Sequence, residues 1–66
     1  MRAYIQSDKN GIPCNYNFMN AYQGFREMGF ETIMFSNRSE LQGNSPENVV
    51  VGYVDTVRYA INCFGI

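Results

Sequence analysis

Histidine and tryptophan are absent from this 66-residue chain, and cysteine occurs only at Cys14 and Cys63. Without an imidazole there is no proton shuttle or nitrogen ligand that works near neutral pH, and without Cys-x-x-Cys spacing there is neither a zinc site nor a dithiol redox pair. A disulfide between the two thiols can be drawn, but a reduced pair is the expectation for an intracellular chain. The basic residues Arg2, Lys9, Arg26, Arg38 and Arg58 are scattered and are outnumbered by six acidic ones. No basic stripe can follow a phosphate backbone, which argues against nucleic acid as a partner. No apolar run approaches the ~20 residues that span a bilayer, and the first residues do not resemble a secretory signal. The expectation is a cytoplasmic protein with no membrane partner.

Chemical signatures are also scarce. Neither G-x-G-x-x-G nor G-x-x-x-x-G-K-[ST] occurs, so dinucleotide and P-loop recognition lack support. Glu27 and Glu31 flank a helix end, Glu40 and Glu47 fall in a long loop, and nothing sets one carboxylate against another for acid/base work. No catalytic residue and no metal ligand is therefore expected in this chain.

Large rings are plentiful: Tyr4, Tyr16, Phe18, Tyr22, Phe25, Phe30, Phe35, Tyr53, Tyr59 and Phe64. A chain this short buries only ~60% of the surface that its unfolded form exposes. The rings either crowd one small core or face a partner.

The periodicities place the elements. Arg2 to Gln6 alternates and is β-favouring, and it is followed by the turn-rich segment Ser7 to Pro13. Phe18, Ala21, Tyr22, Phe25 and Met28 form a helical stripe from about Asn17 to Met28, with Asn15 or Asn17 available as the cap. Gly24 lies off that stripe, which suggests a close neighbour. Gly29 and Phe30 predict a left-handed ending with Phe30 folded back on Phe25, and Gly65 with Ile66 would repeat this against Ile61. Glu31 to Phe35 is a second strand, and a short helical turn around Ser39 to Leu41 would break up the polar connection after it. Val49 to Val51 reads as a strand buried on both faces, ended by Gly52. A second helix from Thr56 to Phe64 is expected, capped by Asp55, stapled by Val54 and Tyr59, and burying Val57, Ala60, Ile61 and Phe64.

With right-handed crossovers, the order β-α-β, connection, β-α gives a Rossmann-like three-layer α/β fragment. Its sheet would be parallel, in the order 2-1-3, with two helices. The first helix ending flows straight into a strand, so the second copy implies that this chain opens a larger α/β protein. Val49 to Val51 is too apolar for an open edge, which points to a further strand or a second copy, and so to a homodimer of the isolated piece.

Ligands of such sheets bind beyond the carboxyl ends of the strands. The candidate rim is Ser7 to Asn15 with Gly52, Tyr53 and Asp55, backed by helix N-termini suited to a carboxylate or phosphate. Asp8-Lys9-Asn10-Gly11 offers an acid, a base and an amide together, although the same residues make an ordinary turn. Gly52 could admit a ligand to the backbone or could simply end a strand. Tyr53 could line a site or pack.

Met1 to Gly11, Ala21 to Phe30, Val49 to Gly52 and Val57 to Ala60 together resemble the N-terminal region of bacterial ATP-grasp domain proteins, in particular the uncharacterised ones. The likeness extends over essentially the whole chain. It implies a truncated pre-ATP-grasp domain, residues 1–66, packed against C-terminal lobes that bind ATP and magnesium. Such enzymes join a carboxylate to an amine or thiol through an acyl phosphate. Their ATP- and metal-holding residues belong to the later lobes and have no counterpart here. What carries over is packing and part of the acceptor-substrate wall, at Asp8, Lys9, Asn10, Gly11, Gly52 and Tyr53, with no ligase activity in this piece alone. The rival readings are a stand-alone interaction module that self-associates and a small-anion or nucleotide-binding half-domain.

Overall fold

The computed structural model describes residues 1–41 and 48–64, with the side chains of 62–64 excluded. Its elements run β1 (Arg2–Gln6), α1 (Tyr16–Glu27), β2 (Glu31–Phe35), a 3-10 turn (Arg38–Leu41), β3 (Val49–Val51) and α2 (Val54–Phe64). The three strands form one parallel sheet in the order β2-β1-β3. Tyr4 pairs with Ile33 on one side and Val50 on the other. This is the small α/β arrangement that the element order implies.

Alternation along the central strand divides the core in two. Ala3 and Ile5 point to one face, where Phe18, Tyr22 and Phe25 of α1 cover them. Tyr4 points to the other and packs with Phe35, Leu41 and Ala60. Ile5 and Leu41 are the largest fully buried side chains, and each stabilises the fold by roughly 1.5–3 kcal/mol through burial. The hydroxyl of Tyr4 accepts a hydrogen bond from Arg2 Nη1 at 3.5 Å. That bond, followed by the one to Glu31, holds the exposed Arg2 guanidinium above its ordinary pKa.

α1 begins where Asn15 Oδ1 accepts from the Phe18 amide at 2.9 Å, which decides between the two candidate caps. It ends as expected. The Phe30 amide donates to Phe25 and the Gly29 amide to Arg26, both at 3.0 Å, a Schellman ending. Gly29 takes φ +89°, and the Phe25 and Phe30 rings meet edge to face at 5.0 Å. The second copy, at Gly65 and Ile66, lies outside the described residues, as do residues 42–47 of the long connection, Glu47 among them.

Several local expectations are corrected. α2 starts at Val54 rather than Thr56, because the Tyr53 carbonyl already accepts from Val57 at 3.0 Å. Asp55 therefore sits inside the first turn, where its charge suits the helix dipole, and it is not the cap. Val54 is 67% exposed and staples nothing, while Tyr59 instead stacks under Arg38. The buried face of α2 is Thr56 and Ala60, and Ile61 is exposed; the Phe64 side chain is outside the described set. Met28 at the end of α1 is exposed too. Among the described residues nothing beyond the helix's own local backbone lies within 4 Å of where a Cβ on Gly24 would sit, so no close neighbour explains that glycine. Val49 to Val51 are half-buried rather than enclosed on both faces, since β3 is an edge of this sheet. No helix among the described residues is long and apolar enough to cross a membrane.

Candidate functional site

The carboxyl ends of β1 and β2 and the first turn of α2 border a shallow hollow of about 520 Å³, open to solvent and lined by Gln6, Ser7, Asp8, Lys9, Ser36, Asn37, Arg38 and Thr56. Its volume falls within the ~300–1,000 Å³ typical of small-molecule sites. Parallel strands bring these groups together because all three strand ends open to the same rim.

The loop after β1 is tightly built. Asp8 Oδ1 accepts from the amides of Asn10 at 2.8 Å and Ile12 at 3.0 Å. The Asp8 amide donates to the Ile12 carbonyl at 2.8 Å, and Gly11 takes φ +81°. Ser7 bridges to Pro13, and the Cys14 amide donates to the Gln6 carbonyl at 3.3 Å. Asp8 and Gly11 thus act as turn formers: the carboxylate organises the loop that carries Lys9 to the rim. Cys14 is a free, exposed thiol.

On the other side, Glu40 Oε2 accepts from the amides of Ser36 at 3.2 Å and Asn37 at 3.0 Å, and Asn37 Oδ1 accepts from the Ser39 amide at 3.1 Å. These bonds fix the turn that presents Arg38, whose guanidinium lies 5.1 Å from the Tyr59 ring centroid. Ser7 Oγ donates to the carbonyls of Asp8 and Phe35, at 3.0 and 3.2 Å. Thr56 is 6% exposed.

Gly52 and Tyr53 stand beside this hollow rather than on its lining. A Cβ on Gly52 would come within 2.6 Å of Gln6 Oε1. The close approach that a glycine permits here is therefore taken up by the chain's own side chain. The same oxygen accepts from the Tyr53 amide at 2.9 Å. The Tyr53 ring packs edge to face on Phe18 at 5.0 Å, and its hydroxyl accepts from Asn15 Nδ2 at 3.5 Å. Of the sequence candidates, Asp8 and Lys9 line the hollow and Asn10 and Gly11 form the turn beside it. Ser36, Asn37, Arg38 and Thr56 were not among them. Their signal was positional, since they follow β2 or open α2, and nothing in their residue types announced it.

Comparison of the chain with protein-family models, curated proteins and solved structures found no match.

Proposed function

We propose that this chain is the accessory N-terminal module of a bacterial ATP-grasp carboxylate-amine ligase-like protein. In that role it offers a packing surface to the lobes that hold ATP and magnesium, and part of the wall against which the acceptor substrate rests. The observation that carries the reading is the make-up of the rim hollow. Cationic and hydroxyl side chains gather on it from three elements, while its one carboxylate, Asp8, is engaged by backbone amides. Such a surface orients a substrate without transforming it, because acid/base or nucleophilic work needs a paired base. No step of ATP or magnesium chemistry is assigned to this chain, because in the resemblance the residues that hold both belong to the later lobes.

Calorimetry comparing ATP–magnesium with inorganic triphosphate–magnesium tests the reading. The expected result is that the adenosine part adds no affinity. ATP binding more tightly than triphosphate by ~10-fold, or 1.4 kcal/mol, would place a nucleotide site in this chain and overturn the proposal.

A second reading is favoured by β3. Val49 to Val51 lie half-buried at the edge of the sheet, and such an edge is a template for another strand. Self-association of the isolated chain through that edge is compatible with either role.

A further inference from the structure

We propose that Asn10 is a site of spontaneous covalent modification, where the Gly11 amide closes a succinimide ring on the Asn10 side chain at a rate set by opening of the Asp8 loop. This does not depend on the ligase-like reading. Asn10 is the one asparagine in the sequence followed by glycine. Glycine has no Cβ to bar the approach of its own nitrogen to the preceding side chain. The loop itself demands that pair, because at φ +81° a residue other than glycine would be strained at position 11. Both residues are exposed, and apart from its chain neighbours nothing among the described residues lies within 4 Å of where a Cβ on Gly11 would sit. The Asn10 carboxamide takes no part in the bonds that close the loop, which leaves it free to turn toward the main chain.

The reaction needs only water. The Gly11 nitrogen loses its proton to solvent hydroxide and attacks Asn10 Cγ. The N–Cγ bond forms, the Cγ–Nδ2 bond breaks, and Nδ2 leaves as ammonia after taking a proton from water. A water molecule then opens the ring at either carbonyl, so that one water is consumed for each ammonia released and nothing is oxidised or reduced. One opening gives aspartate. The other gives isoaspartate, whose main chain runs through Cβ and Cγ and is longer by a methylene.

At rest the loop opposes this. The nucleophile, the Gly11 amide, donates to the Asp8 carbonyl at 3.1 Å, and Asp8 Oδ1 grips the Asn10 and Ile12 amides at 2.8 and 3.0 Å. Bonds to a carboxylate are the strong ones, yet an exposed loop opens at far lower cost than the whole fold. Asp8 is thus the gate. In isoaspartate the extra methylene falls between the two amides that Asp8 holds. The new carboxylate also stands beside Asp8 in a chain whose formal net charge is already -1. Asp8 can no longer hold both amides, and the loop that carries Lys9 to the rim is released.

The test is peptide mapping by mass spectrometry over time, on the folded chain held in warm, mildly alkaline buffer. Conversion of amide to acid should be confined to Asn10, with ammonia released in step, an isoaspartyl fraction, and a rate that rises with pH. A free peptide of residues 7–13, which has no strands to hold its ends, should react faster than the folded chain. Asp8→Ala, shown by circular dichroism to remain folded, should speed the reaction by about 5-fold or more. That acceleration should persist at high salt, where the mere loss of a nearby charge is screened. The proposal is overturned if Asn10 stays an amide in the folded chain while the free peptide is consumed, or if other asparagines react as fast. It is equally overturned if folded Asp8→Ala reacts no faster than the parent, or does so only at low salt.

Discussion

At the residue scale the glycines separate by their surroundings. A side chain at Gly52 would meet the side-chain oxygen of Gln6, the far end of a flexible chain that can swing aside only by giving up its bond to the Tyr53 amide, so Gly52→Ala should destabilise the protein by about 1 kcal/mol. In a Gln6→Ala background, which has already lost that bond, the same change should cost less, and urea denaturation of the single and double variants measures the coupling. An equal cost in both backgrounds would refute the contact. Gly24→Ala should act in the other direction. It sits in a helix interior with open space around it, and alanine there should add about 0.4–1 kcal/mol. Gly29, at φ +89°, should lose about 1 kcal/mol on the same change. The Gly29 ending was legible in advance because a left-handed position after an apolar stripe is a local signal. The Gly52 contact was hidden because its partner is 46 residues away, on a different strand.

Among the elements, the 3-10 turn has the largest effect for its size. Leu41 is fully buried against Tyr4, Phe35 and Ala60, and it closes the face of the sheet that α2 covers. Leu41→Ala should cost about 2–5 kcal/mol. In a chain whose whole stability is of the order of 5 kcal/mol, loss of cooperative thermal unfolding by circular dichroism is the expected outcome; an unchanged transition would contradict the role given to Leu41. Strand positions, strand order and α1 were readable from alternation, turn residues and the cap-to-glycine interval. The start of α2 was not. Asp55 looked like a cap, but Gln6 reaches across from β1 to bind the Tyr53 amide at 2.9 Å, and this tertiary bond sets the helix two residues earlier. Part of the candidate site was legible for the same reason that part was not: Asp8 and Lys9 belong to a recognisable turn, whereas Arg38 and Thr56 reach the hollow only once the strands are laid side by side.

For the molecule as a whole, the apolar edge at β3 and the exposed side chains of Ile12, Tyr16, Tyr53 and Val54 leave more apolar surface than so small a chain can bury. Analytical ultracentrifugation should find a dimer population that grows with concentration, and a constant monomer mass over a wide range would remove the self-association reading. As proposed, this fold would be one module of a larger ligase-like protein. The most direct test is the reading frame of the encoding gene beyond Ile66. The account predicts an open frame running on for about two hundred residues, one or two further domains, with the glycine- and lysine-bearing α/β lobes that hold ATP; a stop codon directly after Ile66 would contradict it.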